Sequence, residues 1–172
     1  VSPEDYPDIT KIQNLDLDVF EGSEQPLPYY VKGYTIKKDT QRYKYLNPNY
    51  KYVKDLQPNT NSPYLNYLEL RQNGTLKEYL GYYPEHIDMF ARYRDTIHTL
   101  SNDLYTTYKN VNIYKTQEKQ DIPFHLKPLI YDIHGLYLKD KEPTTWSHIK
   151  NYIYSLPPKK LLFAINHIPH NK

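Results

Sequence analysis

The stretch PEHIDMFARYRDTIHTLSNDLYTTYKNV, residues 84–111, carries the clearest structural signal of the chain. Its apolar residues recur at steps of three and four, which is the spacing of one face of an α-helix. The stripe consists of Phe90, Tyr93, Ile97, Leu100, Leu104, Tyr108 and Val111. We therefore expect one long amphipathic helix here, with Pro84 in its first turn.

Four shorter helices are expected around the long one. Thr75 and Glu78 have the spacing of a capping box, which predicts a helix over residues 76–83. Pro128 suits the first turn of another helix, whose apolar positions are Leu126, Leu129, Ile130, Ile133, Leu136 and Tyr137. Two more are expected from residue 143 and from residue 159, with apolar positions at Trp146, Ile149, Ile153 and Leu156, and at Leu161, Leu162 and Ile165. The short connections predict a bundle of about five helices.

Upstream of these helices the hydrophobic period changes from 3.6 to 2. In residues 29–36 and 42–46, β-branched and aromatic residues alternate with basic ones, and residues 38–40 supply turn chemistry. Residues 47–49, Asn-Pro-Asn, are expected to end the second strand, and residues 59–63 to form a loop. The predicted fold class is α+β: a small antiparallel β-hairpin module followed by a mainly α-helical bundle.

The charge distribution marks three segments, although the net charge is only +2. Residues 1–25 contain seven acidic side chains and one basic one, whereas residues 26–54 contain seven basic side chains and one acidic one. The rest of the chain is close to balanced. We therefore predict an acidic extended arm (1–28), a basic aromatic β-hairpin module (29–54) and a helical domain (55–172).

Several function classes lack their sequence signals. The chain has no cysteine, which excludes a disulfide scaffold and a cysteine nucleophile and favours a reducing compartment. No apolar stretch is long enough for a membrane span, and no signal peptide is expected. The seven histidines lack metal-ligand spacing, and no glycine-rich phosphate loop or catalytic motif occurs. We predict no metal, no cofactor, no catalytic residue and no small-molecule ligand.

The hairpin module has the composition of a single-stranded nucleic-acid binding surface. Lysine and arginine neutralise phosphates, and tyrosine rings can stack on bases. The candidate residues are Lys32, Arg42, Tyr43, Lys44, Tyr45, Lys51, Tyr52 and Lys54. In one alternative, tyrosine is only the strand-forming residue of this protein and the lysines coat an exposed strand face. In another, the acidic arm pairs with the hairpin of its own or a neighbouring subunit.

Two segments resemble a known protein family. Residues 31–36 (VKGYTI) and 42–50 (RYKYLNPNY) resemble the end of the adenylyltransferase domain of RNA-ligase-like proteins from large DNA viruses. Residues 79–85 (YLGYYPE) and 156–166 (LPPKKLLFAIN) are similar to the helical C-terminal region of the same proteins. The resemblance implies a viral source, with the host cytoplasm, at the viral factory, or the virion as its location.

The chain departs from that family at the residues that perform its chemistry. The family's Glu-Gly motif reads Lys32-Gly33 here, and Leu46 replaces the second lysine of its Lys-x-Lys motif. The Lys-x-Asp-Gly motif that holds the nucleophile is absent. We therefore expect no enzyme activity unless a missing N-terminal part supplies that lysine. The predicted function is noncatalytic RNA binding, and the alternative is a structural or scaffold protein that contacts other viral proteins.

Overall fold

A computed structural model describes residues 27–38 and 40–169, and it confirms an α+β chain in which a two-stranded hairpin precedes helices. The hairpin consists of β1 (Gly33–Lys38) and β2 (Gln41–Leu46). The helices are α1 (Pro48–Asp55), α2 (Pro63–Asn73), α3 (Leu76–Tyr82), α4 (Ile87–Tyr108), α5 (Lys127–Asp140), α6 (Trp146–Ser155) and α7 (Pro158–Asn166). The chain divides into two compact units, one ending at Gln57 and the other starting at Pro58. The predicted acidic arm lies almost entirely outside the described residues.

The strands pair antiparallel, with Gly33 opposite Leu46 and Lys38 opposite Gln41. Gly33 has a φ of +143°, and a Cβ built there would lie 2.0 Å from the carbonyl oxygen of Tyr45. Only glycine allows the backbone to approach so closely in this conformation. The glycine of the Lys32-Gly33 pair is therefore required by the geometry of the hairpin itself.

The described residues contain seven α-helices, where about five were expected. The two additional ones are α1 and α2, and both begin with a capping residue followed by proline. Asn47 caps α1 through a hydrogen bond from the backbone N–H of Asn49, and Ser62 caps α2 in the same way through Leu65. A cap followed by proline at the first position is a helix start signal, which our interpretation of both segments as strand ends or loops overlooked.

Helix α4 is the central helix of the second unit and packs against α2, α5, α6 and α7. It begins after a 3₁₀ turn over Pro84–His86 and continues into a π-helical turn over Lys109–Ile113. The expected apolar stripe is confirmed: six of its seven residues are buried and Tyr93 is half-buried. The 3.6-residue period therefore identified the core of this unit correctly.

The later helices follow the prediction less completely. Pro128 lies in the first turn of α5, as expected, and Leu129, Ile130 and Ile133 are buried. Leu136 and Tyr137, however, are 48% and 38% exposed, so the last turns of α5 extend beyond the apolar core. In α6 and α7 the expected positions Ile149, Ile153, Leu156, Leu161 and Ile165 are buried, while Trp146 and Leu162 are half-buried.

The expected capping box at the start of α3 is wrong, because Thr75 makes no side-chain capping hydrogen bond. A capping box is instead found at the start of α6. There Thr145 Oγ1 accepts from the backbone N–H of His148 at 3.3 Å, and His148 Nδ1 accepts from the backbone N–H of Thr145 at 3.2 Å. A histidine ring nitrogen thus takes the place of the usual Glu or Gln oxygen.

His125 lies just before α5 and is buried in the core of the second unit. Burial lowers the pKa of His125, although the negative charge of Asp103 opposes this effect, and His167 acts in the same direction as burial. The unfolded chain therefore binds a proton at this position more readily than the folded one does. The stability that depends on neutral His125 is present above the unfolded pKa of 6.5 and is lost as the pH falls below it.

We expect this linkage to be visible in a His125→Gln variant. Its urea midpoint, followed by circular dichroism, should fall less between about pH 7 and pH 5 than that of the unmodified chain. His98→Gln, which replaces an exposed histidine, should keep the original pH dependence. Equal pH dependence in the His125 variant and the unmodified chain would show that His125 gains no proton on unfolding.

Candidate nucleic-acid interface

The first unit presents an exposed positive surface. Between residues 27 and 57 the sequence has seven basic residues and two acidic ones, of which Asp55 lies in the described part. All five predicted phosphate-binding cations are exposed: Lys32, Arg42, Lys44, Lys51 and Lys54. A surface with this charge imbalance attracts polyanions and repels other cationic surfaces.

The strand register separates the cations of β2 from its tyrosines. Lys44 lies opposite Thr35, whereas the next residue, Tyr45, lies opposite Tyr34. Because successive side chains of a strand point to opposite faces, Arg42 and Lys44 share one face of the ribbon, and Tyr45 belongs to the other. In the same register, Tyr43 lies opposite Ile36. A nucleic-acid strand that contacts both sets must therefore wrap around an edge of the hairpin.

The remaining predicted site residues lie on helix α1 and not on a strand. Lys51 and Lys54 are three positions apart, so they are neighbours on one face of this helix. Tyr52 is 51% exposed, while Val53 between Tyr52 and Lys54 is buried. The predicted module 29–54 therefore continues beyond its hairpin into a helix that the sequence analysis did not predict, and its exposed cations lie on a strand, a loop and a helix.

Asn47 connects these parts, and it is buried to 99%. Its side-chain Nδ2 donates to the carbonyl oxygens of Pro28 at 2.9 Å and Val31 at 2.8 Å, while its Oδ1 accepts from the backbone N–H of Asn49 at 3.0 Å. Its backbone N–H donates to the carbonyl oxygen of Lys32 at 3.0 Å. One side chain thus holds the segment before β1 and caps α1, which fixes the spacing between Lys32 and Lys51. The Asn-Pro signal at residues 47–48 could have revealed the cap but not these long-range bonds.

Tyrosines of the helical unit serve mainly in packing. Tyr64 stacks on Tyr93 with ring centroids 3.9 Å apart, and its hydroxyl donates to the carbonyl oxygen of Tyr93 at 3.2 Å. Burial raises the pKa of Tyr64 to about 12. Tyr79 stacks on Tyr83 at 4.5 Å and is fully buried. In this unit, the interpretation of tyrosine as a structural residue is therefore the better one.

A cluster that joins three helices lies on the surface of the helical unit. The carboxylate of Asp132 on α5 accepts hydrogen bonds from the hydroxyl of Tyr152 on α6, at 2.7 Å, and from the ammonium group of Lys160 on α7. Burial alone would raise the pKa of Asp132, but these two bonds outweigh it and lower the pKa. Burial and the neighbouring carboxylate raise the pKa of Tyr152 well above its usual value. The three groups satisfy one another, which is the arrangement of a structural tie between helices.

Within residues 27–38 and 40–169, no group of three histidine or acidic side chains is arranged so that it could hold a metal ion. Over the same described range, no helix has both the length and the apolar character needed to cross a membrane. Comparison with known proteins returned no match among protein families, curated proteins or solved structures.

Proposed function

We propose that this chain is a noncatalytic protein that binds single-stranded RNA through its first unit. The observation that carries the proposal is the exposed set of five cations at Lys32, Arg42, Lys44, Lys51 and Lys54, accompanied by a single described carboxylate. Each lysine or arginine that contacts a phosphate releases counterions, and this release is the main source of affinity in such complexes. The tyrosines of the hairpin and α1 provide rings on which bases stack.

The rigid connection through Asn47 supports the same proposal. Single-stranded RNA is flexible, so a surface that holds its cations at fixed spacing pays less conformational entropy on binding than a mobile tail does. Asn47 links the loop of Lys32 to the helix of Lys51 by hydrogen bonds within the described part of the unit. The cation of this loop and those of α1 are therefore held close to one capping residue.

We propose that the chain is noncatalytic because other residues stand where RNA-ligase-like proteins have their catalytic ones. A carboxylate is missing at Lys32, and a phosphate-binding cation is missing at Leu46, which lies opposite Gly33 at the end of the hairpin. Nucleotidyl transfer depends on such charges around the reacting phosphate. The resemblance to RNA-ligase-like proteins of large DNA viruses also underlies the proposed viral source and the proposed location in the host cytoplasm or the virion.

The test is fluorescence anisotropy of an end-labelled oligouridylate titrated with the full chain at several salt concentrations. We expect the logarithm of affinity to fall with the logarithm of salt at about −0.7 per phosphate contact. The Lys44→Glu, Lys51→Glu double variant should bind about tenfold or more weakly than the unmodified chain, and its salt dependence should be shallower.

The matched control reverses the same number of charges outside the proposed surface. Lys77 and Lys119 are exposed in the helical unit, so the Lys77→Glu, Lys119→Glu variant has the same net charge as the hairpin variant. It should keep most of the affinity. Equal losses in both variants would mean that only net charge matters and would contradict a site on the first unit.

The scaffold alternative has its own supporting observation. Phe124 is 65% exposed and Phe163 is 46% exposed, and their rings lie 6.3 Å apart. Exposed aromatic pairs are frequent in protein interfaces. Absence of RNA binding at low salt would favour this alternative, in which the chain assembles with other viral proteins.

A further inference from the structure

The helical unit contains a second concentration of positive charge, in a cleft shaped by α2, α4 and α6. The cleft has a volume of about 240 Å³. None of the described residues that line it is acidic, and four are basic: Arg71, Arg94, His98 and Lys150. The aromatic rings of Trp146 and Tyr154 lie beside them in the lining. These residues belong to three segments that are far apart in the sequence, and only the packing of three helices brings these segments together.

Among the described residues, Arg71 contacts an aromatic ring and makes no ion pair with an acidic side chain. Its guanidinium carbon lies 4.7 Å from the centre of the Tyr154 ring, and the Tyr154 hydroxyl donates to the backbone carbonyl oxygen of Arg71 at 3.3 Å. A cation over a ring face keeps its N–H donors available at the edges of the guanidinium plane. Arg71 is thus positioned and can still donate to an anion.

The other cations of the cleft also remain available. Arg94 makes an ion pair of 3.1 Å with Asp95, but both side chains are about 70% exposed, and such a pair contributes little. Lys150 is exposed on α6. Burial raises the pKa of Tyr67, and the charges of Arg71 and Arg94 both oppose this effect. The two guanidinium groups therefore act on the same part of the cleft wall.

Trp146 supplies a large aromatic surface next to these cations. It is the only tryptophan of the chain, and it is half-buried at the start of α6. Its ring contacts His98 edge-on at 6.0 Å and Tyr105 at 5.7 Å. The ring is therefore fixed by its neighbours, so that a planar group bound in the cleft would meet a preformed surface.

We propose that this cleft is a nucleotide-binding site, in which Arg71, Arg94 and Lys150 bind the phosphate and the aromatic residues contact the base. Arginine donors match phosphate oxygens bidentately, and aromatic rings stack on any base. The volume is below the roughly 300–1,000 Å³ of sites for drug-sized ligands, which suits one nucleotide unit. That unit is either a free nucleotide or one nucleotide of a single-stranded RNA. The site does not depend on the surface of the first unit.

Trp146 allows the test to be specific to the cleft. The full chain is titrated with AMP, and tryptophan emission is recorded with excitation near 295 nm, where tyrosine absorbs little. We expect AMP to quench the emission in a saturable way. Adenosine, which lacks the charged phosphate, should bind with an affinity at least about tenfold lower. A 5′-phosphorylated trinucleotide forms a parallel arm. Saturation by AMP assigns the site to free nucleotides, and saturation by the trinucleotide alone assigns it to an RNA strand.

The Arg71→Gln, Lys150→Gln variant should bind the quenching ligand about tenfold or more weakly, because it loses two phosphate contacts. Lys150→Gln alone, at an exposed position, should retain the fold and weaken binding severalfold. The control variant, Arg92→Gln, Lys159→Gln, removes two exposed cations outside the cleft and should leave affinity unchanged. The tryptophan emission of the Lys44→Glu, Lys51→Glu variant should be quenched by the ligand with unchanged affinity. Absence of saturable quenching by both ligands, or unchanged affinity in folded cleft variants, would overturn the proposal.

Discussion

Replacing Asn47 with aspartate is expected to open the hairpin unit, at a cost of about 2 to 5 kcal/mol. Aspartate keeps the shape of the side chain and can still accept the capping hydrogen bond of α1. It loses both Nδ2 donors, however, and it places a negative oxygen beside the carbonyl oxygens of Pro28 and Val31, now at 2.9 and 2.8 Å from Nδ2. A buried carbonyl left without a partner costs about 1 to 3 kcal/mol, and the added negative charge raises the cost for Val31 and Pro28 alike. The Pro28 carbonyl oxygen keeps one bond, from the backbone N–H of Val31 at 3.0 Å.

The effect should be large because the described part of this unit buries few side chains. A two-stranded hairpin is marginal by itself in water, and α1 contributes one buried residue, Val53. We expect Asn47→Ser, which keeps a good cap but removes the donors without adding charge, to be destabilising to a smaller degree than the aspartate. The side chain of Asn49 donates to the carbonyl oxygen of Leu27 at an exposed position, so Asn49→Ser should cost less than either.

Native-state hydrogen exchange measures this effect unit by unit. In Asn47→Asp, the amides of β1 and β2 should lose protection, while those of α4 serve as an internal reference. RNA affinity should fall together with hairpin protection, since the spacing between Lys32 and Lys51 is lost. Unchanged protection in the aspartate variant would show that the bonds of Asn47 do not hold the unit together.

Replacing Tyr79 with alanine is expected to destabilise the helical unit by about 3 to 5 kcal/mol, the range for removing a large buried aromatic side chain. Tyr79 is fully buried and stacks between Tyr83 at 4.5 Å and Phe90 at 5.9 Å. Its hydroxyl shares a hydrogen bond with His86 Nδ1 at 2.8 Å and accepts one from Asn66 Nδ2 at 3.4 Å. The alanine variant therefore loses both packing and a buried polar network.

Two further variants separate these contributions. Tyr79→Phe keeps the ring and removes only the hydroxyl, so we expect a loss of about 1 to 3 kcal/mol from the unpaired polar groups of His86 and Asn66. Tyr131 is 57% exposed on α5, and Tyr131→Ala should change stability by about 0.5 kcal/mol or less. Urea unfolding followed at 222 nm gives all three values. A Tyr79→Ala cost as small as that of Tyr131→Ala would contradict the packing role.

This pair of tyrosines shows why the composition of the chain was ambiguous. The chain has twenty-one tyrosines, and a tyrosine can pack in a core, form strands or stack on bases. The residue type alone does not distinguish these roles. The helical period identified Tyr93 and Tyr108 as core-facing, but it did not show that Tyr64, Tyr79 and Tyr83 pack against that core. Those contacts depend on how helices α2, α3 and α4 cross, which no local pattern encodes.

The sequence predicted only part of the candidate interface. The charge imbalance of residues 26–54 predicted an exposed positive surface, because lysine and arginine side chains are rarely buried in any fold. The strand period already places Arg42 and Lys44 on the opposite face from Tyr45. The helical position of Lys51 and Lys54 follows from the Asn-Pro start signal at residue 47, which also ends a strand.

By itself, the sequence determined the features that depend on neighbours within a few positions: the class of fold, the hairpin, the long helix α4 with its buried stripe, and the proline-started helices α5 and α7. Hydrophobic periodicity and local backbone restrictions are enough for these. Only the tertiary structure decided the bonds from Asn47 to Pro28 and Val31, and the meeting of Arg71, Arg94 and Lys150 around Trp146. Each of these brings together segments that are 16 or more positions apart, and their proximity is a consequence of packing, which no short window of sequence contains.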